Sequence, residues 1–152
     1  MLFLQFQLGG DRYVLDAREV VEVLPPLVVK QLPRAPEAVR GLIDYHGDSV
    51  PLLDLSRLAG GAAAPARVST RIVLVTLAVD GVPRLLGLLA ERVTDTLRLP
   101  AEAFRDGGIA VPEARYLGPV ANTPGGLVQW VRVDALLDAP TRALLYAEAE
   151  AA

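Results

Sequence analysis

The sequence contains no cysteine and only one histidine, His46. The lack of cysteine excludes disulfides, thiolate nucleophiles and zinc or iron–sulfur centres held by cysteine. A single histidine excludes a site with two or three histidine ligands, and any histidine-dependent triad has to use His46. We therefore expect no bound metal, no cofactor and no catalytic residues.

The 152-residue chain also lacks an excess of positive charge, since 15 basic and 18 acidic residues give a net charge of −3 at pH 7. No run of Arg or Lys predicts a phosphate-binding face, so nucleic acid is not an expected partner. The apolar runs are shorter than the ~20 residues of a membrane helix, and Met1–Phe6 lacks the basic segment of an export signal. These features predict a cytoplasmic protein that does not insert into a membrane.

Hydrophobic residues make up 52% of the chain, enough to build a core, and 13 glycines and 12 prolines divide it into short segments. The segments are rich in Val, Ile and Leu, which predicts nine or ten short strands in a barrel or sandwich. Eleven extended runs are candidates for these strands: residues 3–8, 12–16, 20–24, 27–32, 41–45, 49–53, 70–77, 85–89, 93–99, 116–121 and 127–131.

The segment Ala59–Arg67 consists of small residues, Gly and Pro, with one Arg, and predicts a flexible linker. Because it lies near the middle, we expect two small barrels within a single domain (1–152), divided approximately at this linker. Asp54 is expected to cap a short helical turn. The end of the chain, Val133–Ala152, has leucines at helical spacing and predicts a helix with Pro140 in its first turn.

His46 has Asp44, Asp48 and Ser49 close to it in the sequence, which raises the hypothesis of a hydrolase. Ser49 lacks the glycine elbow of such enzymes, and no segment predicts an oxyanion site. A histidine in an exposed turn, or one that touches a partner, is the favoured interpretation.

Short motifs follow one another in a definite order from Phe6 to Leu137. They are Tyr13–Asp16, Val20–Leu24, Leu32–Pro36, Val39–Ile43, Gly47, Val50–Leu55, Thr70–Val75, Gly87–Leu89, Val93, Tyr116–Gly118 and Leu127–Leu137. Each motif alone is weak, but their order over about 130 residues resembles that of the CheW-like adaptor domains of bacterial chemosensory systems.

This resemblance implies a mainly β fold: two five-stranded SH3-like barrels that share a hydrophobic seam, with a C-terminal helix. It also implies a scaffold without catalysis in chemotaxis-type signal transduction. The expected partners are the cytoplasmic tip of a methyl-accepting chemoreceptor and the regulatory domain of a CheA-type histidine kinase. The protein is then expected at membrane receptor arrays.

By the same resemblance, partner binding is assigned to one strand and one turn. The assigned residues are Val20, Glu22, Val23, Gly41, Ile43, His46 and Gly47. A competing interpretation places Val20, Val23 and Leu53 in the barrel cores, with Glu22 as a charge beside an apolar surface. Gly41 and Gly47 are expected where the backbone leaves no room for a Cβ atom.

Three departures from the family pattern bear on partner choice. The usual Asn-Leu-Arg-Gly is replaced by residues 44–47, in which His46 takes the place of the arginine. The usual Asp-Leu-Arg is replaced by Asp54-Leu55-Ser56, and the usual Leu-Val-Asp is replaced by Leu89-Ala90-Glu91. Because neither His nor Ser reproduces the bidentate contact of Arg, we expect altered partners, as in a surface-sensing, Wsp-type pathway.

A second function class is a small β-barrel that binds its own ligand or an oligonucleotide. Such a module needs a wide cavity, or aromatic side chains that stack on bases beside a basic face. The sequence has three Phe, four Tyr and one Trp, and no basic face is evident. The adaptor hypothesis is therefore preferred.

Overall fold

A computed structural model of the chain describes residues 1–61, 69–107 and 111–147. Most of the predicted linker and the end of the predicted C-terminal helix lie outside the described residues. The described part is mainly β, as expected, and forms ten strands and two short α-helices. The elements are β1 (Leu2–Leu8), β2 (Asp11–Asp16), β3 (Val20–Leu24), β4 (Val39–Tyr45), β5 (Asp48–Asp54), α1 (Leu55–Leu58), β6 (Thr70–Val79), β7 (Val82–Arg98), β8 (Phe104–Arg105), β9 (Leu117–Thr123), β10 (Gly126–Val131) and α2 (Ala139–Leu145).

The middle of the chain forms one small barrel, named barrel 1, from β3, β4, β5, β6 and residues 82–91 of β7. The pairs β3–β6, β6–β7 and β4–β5 are antiparallel, whereas β5 runs parallel to β7. Within the described part of the chain, β3 and β4 each pair with one strand, and a hydrogen bond from Tyr45 to Glu22 joins them where the barrel closes.

The two ends of the chain form the other barrel, named barrel 2. β1 lies between β2 and residues 91–98 of β7, and β2 runs parallel to β10. β9 and β8 continue the sheet beyond β10. In both barrels, strands that precede 59–67 pair with strands that follow it. The boundary between the barrels therefore lies within β7 and not at 59–67, where the sequence placed it.

β7 is a single strand of 17 residues, although the sequence predicted two strands over this stretch. Its first part pairs with β6, and its last part pairs with β1 across a register shift opposite Gln5 and Gln7. Arg92 adopts a positive φ of 50° at this shift. The chain thus bends without leaving the sheet, which allows one strand to serve both barrels.

Three buried clusters follow from the alternation of side chains along the strands. One fills barrel 1, with Ile43, Val50, Leu52, Ile72, Leu74 and Leu89. A second fills barrel 2, with Phe3, Val14, Ala121 and Val128. The largest includes Phe6, Leu15, Val73, Val75, Leu86 and Leu88 and forms the seam between the barrels. β6 contributes to both barrel 1 and the seam, so its nearly continuous apolar run is covered on both faces.

Both helices begin at an aspartate. Asp54 accepts hydrogen bonds from the backbone N–H groups of Ser56 and Arg57 and starts α1, as expected. Asp138 caps α2, which is much shorter than the predicted Val133–Ala152. Because Pro140 has no N–H and restricts the residue before it, the helix starts at this point and residues 133–137 stay outside it. Among the described residues, no helix is long and apolar enough to cross a membrane.

Candidate functional site

β3 carries a bulge that decides where its side chains point. Val20 is opposite Val75, but Glu22 is opposite Leu74, so Val21 is the extra residue. Residues directly opposite in an antiparallel pair point to the same face. Val20 and Val23 therefore share the face of the seam residues of β6, whereas Glu22 points with the residues that fill barrel 1. A regular strand would place Val20 and Glu22 on one face.

The β3 valines are not core residues. Val20 is half-buried against the seam, but Val23 is 38% exposed and Val21 is 48% exposed. The prediction that Val23 fills a barrel core is therefore wrong, because the bulge and the edge position of β3 leave its side chain at the surface. The exposed apolar character continues past Pro25-Pro26, where Val28 is 93% exposed.

Glu22 is exposed and bonded to the opposite edge of barrel 1. The Tyr45 hydroxyl at the end of β4 donates a hydrogen bond to Glu22 Oε1 at 2.8 Å. This bond to a carboxylate raises the pKa of the Tyr45 phenol above its ordinary value. No described cation forms an ion pair with Glu22. The described hydrogen-bond donor to the Glu22 carboxylate is thus a neutral hydroxyl.

The turn that follows Tyr45 has two residues, His46 and Gly47, with φ values of 51° and 90°. Positive φ at both positions is the signature of a type I′ turn, which matches the twist of a hairpin. Asp44 Oδ1 accepts the N–H of Gly47 at 2.8 Å, and the His46 ring meets the Tyr45 ring edge-on at 4.4 Å between centroids. Gly47 is therefore needed for its φ and not for close approach, because no atom lies within 4 Å of the place that a Cβ atom would take.

Gly41 has the close approach that the sequence analysis expected. A Cβ atom on Gly41 would lie 2.1 Å from the carbonyl oxygen of Lys30, and its φ is 140°. Lys30 and Leu42 exchange two backbone hydrogen bonds of 2.8 Å, the only bridge formed by the predicted extended run 27–32 within the described residues. Gly41 allows this segment to cover the free edge of β4, so its role is structural.

Ile43 is 2% exposed and belongs to the cluster inside barrel 1. Its assignment to partner binding is wrong, because alternation along β4 turns its side chain inward. Leu53 is buried in the seam. Of the seven assigned residues, the structure brings Glu22, His46 and Gly47 together at one mouth of barrel 1, with Val20 and Val23 beside them on β3. We name the surface of residues 20–24 and 44–48 the β3–turn face.

The β3–turn face does not have the arrangement of a hydrolase. His46 contacts Tyr45, and Asp44 is engaged by the backbone of the turn. In the described ranges, no three His, Cys, Asp or Glu side chains form a group that could hold a metal. Over the residues that the structure describes, both barrel interiors are filled with apolar side chains and not with the wide cavity that the ligand-binding alternative needs.

Sequence reasoning missed Tyr45, Val21 and Val28. Tyr45 is 23 residues from Glu22 and on a strand that does not pair with β3, so no local pattern links the two. A signal for the exposed valines was present. The apolar run 20–29 is broken only by Glu22 and two prolines. An edge strand buries only one of its faces, so a continuous apolar run there leaves some apolar side chains exposed.

Known proteins resemble this chain in sequence and in fold. The model of the CheW-like domain matches residues 2–141. The chemotaxis protein CheW of Klebsiella aerogenes is 26% identical over 103 residues, 68% of this chain and 60% of that protein. The protein PilI of Pseudomonas aeruginosa is 29% identical over 101 residues, 66% of this chain and 54% of that protein. The matched segment thus spans just over half the length of each of these two relatives.

A crystal structure supports the fold independently. The scaffolding protein TtCheW of Thermoanaerobacter tengcongensis superposes with a TM-score of 0.80 and 20% sequence identity. The superposition covers 92% of this chain and 89% of that one, so both barrels and the seam are shared. Since the family model also spans nearly all of the sequence, the chain belongs to the CheW-like domain family.

Proposed function

We propose that this protein is a non-catalytic adaptor in chemotaxis-type signalling. It couples the cytoplasmic tip of a methyl-accepting chemoreceptor to the regulatory domain of a CheA-type histidine kinase, and it acts at receptor arrays in the membrane. Family membership supports this proposal, as do the names of its relatives, which include a chemotaxis protein and a scaffolding protein.

The β3–turn face is the observation that carries the proposal. Val21 and Val23 are exposed on an edge strand, and the Glu22 carboxylate lies between them in the sequence. Exposed apolar side chains beside a charge are typical of a contact surface whose anchors bury on binding. A partner for this face has an apolar surface and a cation that meets Glu22.

The variant Glu22→Lys tests the face directly. Glu22 is exposed and its only described bond is to Tyr45, so we expect the melting temperature to stay close to that of the wild type. Reversal of the charge is expected to weaken binding of the kinase regulatory domain or the receptor tip by about 1–3 kcal/mol. Titration calorimetry with each purified partner measures this loss.

Glu102→Lys is the matched control, because Glu102 is also exposed but lies in barrel 2. It is expected to bind both partners like the wild type. Val23→Asp adds a second test: since Val23 is partly exposed, the variant is expected to fold and to bind weakly. If Glu22→Lys and Val23→Asp both bind with wild-type affinity, the β3–turn face is not the contact surface.

A further inference from the structure

The bond between Tyr45 and Glu22 spans the closing edge of barrel 1. Among the described strands, β3 pairs only with β6 and β4 pairs only with β5, so no ladder of hydrogen bonds joins β3 to β4 there. The hydroxyl of Tyr45 crosses the gap to Glu22 Oε1 at 2.8 Å. A single side-chain contact thus fixes the carboxylate relative to the turn.

Tyr45 is itself held in place from three directions. Its ring packs against the cluster inside barrel 1, and Asp48 is its direct partner across the hairpin. The type I′ turn and the Asp44–Gly47 hydrogen bond restrict the backbone on its other side. The phenol is therefore aimed at Glu22 before any partner arrives, so little further side-chain freedom is lost on binding.

The chemistry of the donor matters as much as its position. A phenol is neutral, so it orients the carboxylate without neutralising it, whereas an ion pair with Arg or Lys would do both. No described cation pairs with Glu22, and Asp48 adds a second negative charge on the same side of the hairpin. The β3–turn face thus presents a carboxylate held in one orientation, on the same edge strand as the exposed valines.

We propose that Tyr45 is a specificity-determining positioning residue, which holds the Glu22 carboxylate in the orientation that receives a cation of the partner. The partner is a protein surface on which an Arg or Lys is flanked by apolar side chains. This inference rests on the proposed function of the β3–turn face. The family motif usually has a leucine at the position of Tyr45. The residue that orients Glu22 is therefore one that departs from the family pattern.

The test changes one polar group at a time. Tyr45→Phe keeps the ring that packs on barrel 1 and deletes the donor. We expect it to fold like the wild type and to bind the purified kinase regulatory domain about threefold to tenfold more weakly, the value of one hydrogen bond. Glu22→Gln keeps an acceptor for Tyr45 but removes the charge. Its affinity is expected to fall at least as far and to lose part of its dependence on salt.

Tyr146→Phe is the control for a purely structural hydroxyl. The Tyr146 hydroxyl donates to the Leu85 carbonyl oxygen at 2.7 Å, a bond between two residues that are not part of the β3–turn face. Its removal is expected to lower the melting temperature and leave affinity unchanged. In the double variant Glu22→Gln/Tyr45→Phe, the tyrosine change is expected to cost less than in the wild type, because the two residues act as one unit.

The outcomes separate this inference from the function on which it rests. If Glu22→Gln binds with wild-type affinity and salt dependence, the β3–turn face is wrong and this inference falls with it. If Glu22→Gln binds weakly but Tyr45→Phe binds like the wild type, the proposed function stands and the positioning role is refuted. A Tyr45→Phe variant that only loses melting temperature, as Tyr146→Phe is expected to, refutes it equally.

Discussion

Barrel 1 and barrel 2 are built on the same unit. In each, a hairpin ends in an aspartate that caps a following helical turn: β1–β2 ends in Asp16, and β4–β5 ends in Asp54. The second strand of each hairpin then runs parallel to a strand from far along the chain, β10 in one case and β7 in the other. Both aspartates also pair with an arginine, Arg18 and Arg40.

The two barrels differ in how they are filled and closed. Barrel 2 contains three aromatic rings, Phe3, Phe104 and Trp130, whose centroids lie 4.9–5.2 Å apart. Barrel 1 is filled by aliphatic residues and is closed by the Lys30 bridge and the Tyr45–Glu22 bond. Barrel 1, which is closed by polar groups at its surface, thus also carries the proposed contact surface, the β3–turn face.

The largest expected effect is that of Phe3→Ala, which removes the ring that contacts both other aromatic side chains of barrel 2. Phe3 is fully buried, so the loss of stability is expected to be about 3–5 kcal/mol. Because β7 and the seam belong to both barrels, urea unfolding is expected to show one transition with a lower midpoint. Two separate transitions would instead show that the barrels are independent units.

Gly41→Ala tests the closure of barrel 1. The added methyl group would lie 2.1 Å from the Lys30 carbonyl oxygen, so the Lys30–Leu42 bridge has to shift. We expect a loss of about 1–3 kcal/mol in the free energy of unfolding. Gly10→Ala is the control, because nothing lies within 4 Å of the added atom, and it is expected to stay within about 0.5 kcal/mol of the wild type. Equal losses for the two variants would contradict the close approach.

The aspartate caps sharpen the comparison between the two hairpins. Asp54 is fully buried and accepts from two backbone N–H groups, whereas Asp16 accepts from one and pairs with the exposed Arg18. We expect Asp54→Ala to cost about 1–3 kcal/mol and Asp16→Ala about 0.5–2 kcal/mol. Thermal unfolding of both variants measures the two losses of stability. A larger loss for Asp16→Ala would show that burial does not determine how much each cap stabilises the protein.

The smallest expected effect is a dependence on pH at Asp16. Its hydrogen bond to the Arg18 side chain lowers the pKa of the Asp16 carboxyl. A lowered pKa stabilises the folded state above the unfolded value of about 3.9, and that stability is lost as pH falls through the folded pKa. The difference in unfolding free energy between wild type and Asp16→Asn is therefore expected to be largest above pH ~4 and to shrink below it. A difference that stays constant in acid would refute the linkage.

The sequence predicted much of the fold because apolar alternation and turn residues act locally. The His46-Gly47 and Asp80-Gly81 turns, for example, join the hairpins that the strand pattern implied. The hairpin unit that the two barrels share could not be predicted from the sequence. The strands of barrel 2 lie at both ends of the chain, and the two hairpins have only a short Leu-Asp sequence in common. The bulge at Val21 was equally hidden, since its effect on Val23 depends on the register with β6.

The candidate site was predicted only in part, for the same reason. Glu22 and His46 were identified through the order of motifs, and the structure brings them to one face. Ile43 was misassigned because a motif places a residue along the chain but not on a side of the strand. Tyr45 could not be assigned at all, since its bond to Glu22 depends on how two unpaired edges meet in space.

The split construction of barrel 2 has a consequence for synthesis. Every strand of barrel 1 lies between residues 20 and 91, so all of barrel 1 leaves the ribosome before β8, β9 and β10 do. β2 has to wait for β10, and the hydrogen bond from Arg12 to Thr123 joins residues that are 111 positions apart. Such distant pairings form late, because the loop between them has to close first. The nascent chain thus emerges with β2 exposed along one edge, which stays uncovered until β10 has emerged.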